Sequence, residues 1–202
     1  MKGSYLVAAL LLVAHTSYAG TIKGVVKAKL ASAPPAAKVK MNDDPTCMAK
    51  HPTPVMEEHL VLDASKNVKY AFVCLKSGFP EGQVFRAPVE PAVLDQNGCM
   101  FSPHVVGLVA GQGLKVLNND GVLHNVHLMS KVNQELDKAM PAFTKKMVLP
   151  GTIFAKTEII PVKCDAHPWM NGFVVVAGNP YFAVTAADGS FEIKDVYRPA
   201  TT

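Results

Sequence analysis

Seven consecutive residues, Cys164-Asp165-Ala166-His167-Pro168-Trp169-Met170, bring a thiol, an imidazole and a thioether into one short segment. Upstream, Val116-Leu117-Asn118-Asn119-Asp120-Gly121-Val122-Leu123-His124-Asn125 supplies a second imidazole at His124. Thiolate and thioether are soft ligands and imidazole suits copper. A His₂Cys plane with a weak axial Met is the set that holds a redox-active copper ion for electron transfer. The candidate ligands are therefore His124, Cys164, His167 and Met170, for one copper ion per chain. Three of them have a plainer reading: a buried free thiol for Cys164, a turn histidine for His124, gap-filling in the core for Met170; His167 stands with Cys164. An exposed thiol beside an imidazole would oxidise in an oxidising compartment unless a metal held it. Closely paired cysteines of the zinc-ribbon kind are absent. So is a His-Glu-x-x-His protease motif.

Other candidates are weaker. His127, three residues after His124, falls on the opposite face of a strand and reads as a surface or supporting residue. His104 is a candidate for a supporting hydrogen bond or a replacement ligand. The remaining methionines are scattered and read as fillers of core and loop.

Strands must position these groups. Residues 21–30 alternate, with Ile22, Gly24, Val26, Ala28 and Leu30 on one face. Further strands are expected at 59–63, 68–76, 92–96, 104–109, 114–118, 122–129, 154–162, 172–178, 181–186 and 190–194. Turns fall at Asn97-Gly98, Gly111-Gln112-Gly113, Asn119-Asp120-Gly121 and Asp188-Gly189. Many short strands with regular turns predict an all-β sandwich, closed by a C-terminal β-hairpin at Asp188-Gly189. Residues 130–149 depart from the pattern. Leu136, Met140, Phe143 and Met147 stand near helical spacing, so a long loop with one short helix, interrupted by Pro141, is expected there. On this reading strands 154–162 and 172–178 are consecutive, and the Cys–His–Met segment is a tight loop joining them at one end of the sandwich. His124 begins an earlier strand and approaches the same end. Pro168 stiffens the loop, and Trp169 and Phe173 would keep water from the metal.

The first residues bound the compartment. A positive start at Lys2, an apolar run from Tyr5 to Ala14, and Ser17 and Ala19 before Gly20 form a secretory leader over residues 1–19. The run is too short to span a bilayer, which takes about 20 residues. A periplasmic or secreted protein is expected, with no membrane span in the mature chain. Charged residues are 18% of the sequence, and the formal charge of +4 falls to +3 once Lys2 leaves with the leader. That small, scattered excess excludes nucleic acid as a partner. Disulfides persist after export. With Cys164 given to metal and Cys74 set in the apolar strand Ala71-Phe72-Val73-Cys74-Leu75, the loop cysteines Cys47 and Cys99 are expected to pair, and Cys74 to lie in the core.

At this point the sequence resembles the cupredoxin family. Asn118 to Asn125 is similar to the family's segment carrying the first histidine ligand, and Cys164, His167 and Met170 follow its Cys–His–Met order. Phe101-Ser102-Pro103 and Gly111-Gln112-Gly113 also fit. The resemblance covers roughly residues 92–178 and implies a Greek-key β-sandwich. The gap between His167 and Met170 is shorter than in plastocyanin-like members. It looks more like the dinuclear copper centre of cytochrome oxidase, which needs a second loop cysteine that is absent here. Residues 184–193 and 21–27 resemble strands of carboxypeptidase regulatory-like domains. The expected division is a leader at 1–19, a β-rich region at 20–85, the copper domain at 86–178 and a hairpin segment at 179–202. The resemblance implies an electron carrier, not an enzyme, whose partners are a cytochrome or an oxidoreductase. A copper-handling protein of the chaperone or resistance type is the alternative, and an open-site copper enzyme a third reading.

Overall fold

The computed structural model describes residues 18–32, 34–41 and 44–198; residues 1–17 of the expected leader lie outside the described residues. The elements in chain order are β1 (Tyr18–Val25), α1 (Pro45–Met48), β2 (Phe72–Cys74), β3 (Ala92–Gln96), β4 (Phe101–Ser102), β5 (Val105–Val109), β6 (Leu114–Asn118), β7 (His124–Leu128), β8 (Leu136–Met140), β9 (Lys146–Leu149), β10 (Glu158–Lys163), β11 (Asn171–Ala177), β12 (Phe182–Val184) and β13 (Ser190–Arg198). A 3₁₀ turn over Gly151–Phe154 precedes β10. The fold is all-β, as the alternation predicts.

Two sheets make the body. One runs β5-β11-β10-β7-β8, the other β4-β3-β6-β9. Period-2 alternation decides what each strand contributes. In β6, Leu114, Val116 and Asn118 are buried while Lys115 and Leu117 are less so. Leu94, Phe101, Leu114, Val116 and Leu149 of one sheet pack in a single cluster with Leu108, Val126, Leu128, Ile160, Val162, Val174 and Val176 of the other. Burying a side chain of this size contributes about 1.5–3 kcal/mol, so this cluster holds the sandwich together. Two pairings are parallel and non-local, β3 with β6 and β5 with β11.

The N-terminal and C-terminal segments form two smaller sheets, β1 with β13 and β2 with β12. The tight turn at Asp188-Gly189 forms, with Gly189 N–H donating to Ala186 O and Ala186 N–H to Ser190 O. Beyond it the strands part, β12 to β2 and β13 to β1. At Gly107 of β5 the sandwich accepts this outer layer: the stacked rings of Phe72 and Phe182 lie where a side chain would stand.

The expected C-terminal hairpin is thus a turn whose strands pair elsewhere, and other expectations change too. Residues 130–149 hold no helix; they form β8 and β9. Leu136–Met140 pairs antiparallel with β7, Leu128 opposite Leu136 and His124 opposite Met140. Met140 is fully buried, whereas Phe143 sits in the connecting turn and is 84% exposed. The near-helical spacing is thus a coincidence of two strands and a turn. Edge strands tolerate charges such as Asp137 and Lys138. Cys74 is exposed, because β2 belongs to the outer two-stranded sheet. The strand expected at 59–63 reduces to an isolated bridge, Leu62 with Val68.

The loop after β7 is organised by one carboxylate. Glu158 accepts hydrogen bonds from Ser130 Oγ, from the N–H groups of Lys131, Val132 and Asn133, and from Asn133 Nδ2. Burial pushes its pKa up, but these donors outweigh it and hold it at about 2, below the ordinary 4.5. A depressed folded-state pKa contributes stability above the unfolded value, and that stability is lost as pH falls through the folded one. Glu158→Gln is expected to cost about 2 kcal/mol at neutral pH. The gap between the two proteins' urea midpoints should narrow as pH falls from about 5 to about 2, since residue 158 titrates only in the wild type. A gap that widens on acidification would contradict this role.

Candidate metal centre

The inward rows of two neighbouring strands end in donor atoms. In β10 the buried residues Ile160 and Val162 alternate, and the next residue in phase, just past the strand, is Cys164. In β7 the row is His124, Val126, Leu128, all with no exposure. The two strands pair antiparallel, Lys163 opposite His127, so Cys164 and His124 meet at the same end of the core. The loop from Cys164 to Met170 joins β10 to β11, as expected. It is closed by Cys164 N–H donating to Met170 O at 3.0 Å and Met170 N–H to His167 O at 2.8 Å. His167 is thereby turned back over Cys164, and Met170 is fully buried in the same core cluster.

His124 Nδ1, His167 Nδ1 and Cys164 Sγ form a buried triangle. Its edges are 3.0 Å between the nitrogens and 3.5 and 3.9 Å from sulfur to His167 and His124. One point in that plane lies about 2.0 Å from all three atoms, matching metal–imidazole bonds of about 2.0–2.1 Å and falling a few tenths short of a metal–thiolate bond. The main-chain N–H of Asn125 also donates to the sulfur, at 3.4 Å.

Two carboxylates absent from the expected set orient the imidazoles. Asp120 Oδ2 lies 2.9 Å from His124 Nε2, and Asp44 Oδ2 lies 3.2 Å from His167 Nε2. A carboxylate at one ring nitrogen fixes the proton there and leaves the other nitrogen's lone pair free, the arrangement seen around metal-binding histidines. Two Nδ1 lone pairs and a sulfur then converge within 4 Å, and only a cation settles such a cluster. In the metal-free chain a proton does so. Burial pushes the His124 pKa down, but the hydrogen bonds to Asp120 and Cys164 lift it above its ordinary value. For Cys164, burial raises the pKa, and contacts with His124, Asn125 N–H and His167 bring it below the ordinary thiol range. Metal binding here would release that proton.

The supports are local. Asn118, fully buried, donates to Val122 O and Met140 O and accepts from Asp120 N–H, bracing the turn that presents Asp120. Asn125 clamps the start of the ligand loop: its Oδ1 accepts from Asp165 N–H at 2.6 Å and its Nδ2 donates to Asp165 Oδ2 at 2.9 Å. Asp44 also caps α1, accepting from Thr46 and Cys47 N–H. Asp before Pro is legible as a helix start; its reach to His167 is not. Asp120 stands in Asn-Asp-Gly, which reads as an ordinary turn.

The remaining histidines lie elsewhere. His127 faces outward, as its spacing implies, and pairs with Asp165 at 2.8 Å and Glu135 at 3.3 Å. His104 is buried on the far side of β5, with Glu58 Oε2 at 3.4 Å and the Tyr70 ring against it. Phe173 packs on His104, on the outer face of β11, so it does not screen the donors. Trp169 does lie beside His167, at 5.1 Å between ring centroids. The expected Cys47–Cys99 disulfide is present.

No protein-family model matches this chain, and no curated protein does. Among solved structures, a mutant of amicyanin in its Cu(I) form is 22% identical and superposes with a TM-score of 0.36, over 46% of this chain and 97% of its own. A purple cupredoxin from Nitrosopumilus maritimus gives 17%, 0.35, 43% and 99%. A copper-containing nitrite reductase from Thermus scotoductus SA-01 gives 16% and 0.39 over 52% of this chain and 25% of its own. At such values the case for a metal rests on the side chains themselves.

Proposed function

We propose that the chain is an exported copper protein in which His124, Cys164 and His167 would hold one copper ion, with Met170 as a fourth ligand. The observation that carries this is the buried triangle of two imidazole nitrogens and one sulfur. Softness selects the metal: a thiolate with imidazoles, and no carboxylate oxygen in the triangle, suits copper above magnesium, calcium or manganese. When bound, copper supplies a one-electron couple between Cu(I) and Cu(II). The protein's part is to keep the donors fixed and dry. Asn125 and the two loop hydrogen bonds hold the Cys164–Met170 segment, and Asp120 and Asp44 hold the rings. Such rigidity favours electron transfer to and from a redox protein such as a cytochrome or an oxidoreductase. No helix among the described residues is long and apolar enough to cross a membrane.

One observation favours a second reading, copper handling. Both remote imidazole nitrogens are engaged by carboxylates, and His167 is only 5% exposed. A ring edge open to a partner is the usual shortest exit for an electron, and neither ring presents one.

The test is to add Cu(II) to the metal-free protein and record visible absorption and EPR, with Cys164→Ala alongside. The expected result is an intense sulfur-to-copper band that disappears in the variant. A spectrum unaffected by Cys164→Ala would remove the electron-carrier reading. Tight Cu(I) binding without a stable Cu(II) form would favour handling.

A further inference from the structure

The N-terminal chain folds over the end of the sandwich where the three donors meet, and a covalent bond pins it there. Cys47 and Cys99 are both fully buried, packed with Met41, Val39, Val55 and Trp169. Each half-cystine does more than close the bond. The main-chain N–H of Cys47 donates to Asp44 Oδ1 at 3.0 Å, and the other oxygen of Asp44 meets His167. The main-chain N–H of Cys99 donates to Asp120 Oδ2 at 2.8 Å, the same oxygen that meets His124. One half-cystine thus holds the carboxylate behind each imidazole.

Other ties run the same way. Gly98 and Cys99 both have positive φ, and their consecutive N–H groups point at the one Asp120 carboxylate, a nest for an anion. For a cysteine that backbone conformation is costly, so the surrounding contacts must impose it. Trp169, inside the ligand loop, donates its indole N–H to Cys99 O at 3.1 Å. Lys50 and His51, just past α1, grip Asp120 and Gly98 O.

We propose that the Cys47–Cys99 disulfide is a positioning element for the copper centre, and that its reduction loosens both imidazoles together and opens the centre to metal exchange. This rests on the copper reading above. The step is an exchange with a dithiol reductant: two electrons and two protons pass to Cys47 and Cys99, the S–S bond becomes two thiols, and the reductant becomes a disulfide. Cys164 is not consumed. The physical cause is that removing the cross-link frees segment 44–55 to leave, taking Asp44 from His167 and loosening the loop that feeds Asp120. Losing the hydrogen-bond partner of a metal-binding histidine lowers metal affinity about 10–100-fold.

The experiment uses the full chain, with Cu(I) affinity read by competition against a chromogenic chelator. It compares the disulfide form, the same protein reduced by a phosphine, and Cys47→Ser with Cys99→Ser. In parallel, alkylation of Cys164 in the metal-free protein is followed by peptide mass, which separates it from the exposed Cys74. The expected result is a loss of Cu(I) affinity of about 10–100-fold on reduction and in the double variant, with Cys164 alkylated about tenfold faster or more as its cover opens. Equal affinity and equal alkylation in all forms would overturn the proposal and leave the disulfide as a staple of the fold. No copper uptake by any form would overturn the copper reading instead. Should the double variant not fold, Asp44→Ala with the disulfide intact carries the test: an affinity about tenfold lower is expected, and an unchanged one overturns the link to His167.

Discussion

Replacing Asp120 by alanine is expected to destabilise the metal-free protein by about 3–5 kcal/mol, the range for leaving buried charged partners uncompensated. The Asp120 side chain has no exposure. It receives His124 Nε2 at 2.9 Å, Gly98 N–H at 2.6 Å, Cys99 N–H at 2.8 Å and Lys50 Nζ at 3.2 Å. Burial alone would raise its pKa, yet those donors hold it at about 2, so it is an anion at any physiological pH. Alanine takes the acceptor from His124 Nε2 and from two main-chain N–H groups at once, while Lys50 keeps the main-chain O of residue 120 at 3.1 Å. Asp120→Asn keeps one oxygen and should lose less, because a neutral acceptor still serves part of the set. Urea unfolding followed by the fluorescence of Trp169, the one tryptophan of the chain, measures both. A loss under about 1 kcal/mol for the alanine variant would mean that water replaces the carboxylate, contrary to its burial.

Gly151→Ala is expected to cost about 3 kcal/mol or more, at the upper end for overpacking. Gly151 opens the 3₁₀ turn that delivers Phe154 to the core, and a Cβ built on it would stand 1.8 Å from Gly111 O. Gly111 O is main chain and the Cβ position is set by the main chain of residue 151, so no rotamer change relieves it. Gly111 N–H is at the same time bound to Phe154 O at 2.8 Å. Separating the two turns would therefore break that hydrogen bond and move a ring with no exposure. Gly113→Ala is the control. It meets Leu149 O at 3.0 Å, a smaller intrusion, and should be milder. Thermal unfolding of the two variants compares them, and a Gly151→Ala protein as stable as wild type would show that the two turns can separate freely.

The alternation of apolar residues made much of the sandwich readable in advance. Ala92–Gln96 and Leu114–Asn118 begin and end where their patterns do. The same period-2 rule places His124 in the row of Val126 and Leu128, and Cys164 in the row of Ile160 and Val162, while His127 turns outward. A side chain's face is a local property, fixed by the pleat and by which neighbours are apolar. The short Cys–His–Met loop and the pairing of Cys47 with Cys99 were legible for similar reasons, ligand chemistry in one case and cysteine count with export in the other.

What remained hidden depends on which distant segments meet. Residues 130–149 carry a spacing that suits a helix, and only the open edge of β7 makes Leu136–Met140 a strand. The last strand turns back to β1, a partner nearly the whole chain away. Asp44 is a helix cap and Asp120 a turn residue by sequence. They become the anions behind His167 and His124 because the N-terminal segment is tied over the end of the sandwich. Gly151 has an ordinary backbone conformation and is required only because Gly111 O occupies the space beside it. Donor types and faces are set residue by residue, so the sequence alone determined them. Orientation, cover and clearance come from contacts between segments far apart in the chain, and only the packed structure decides those.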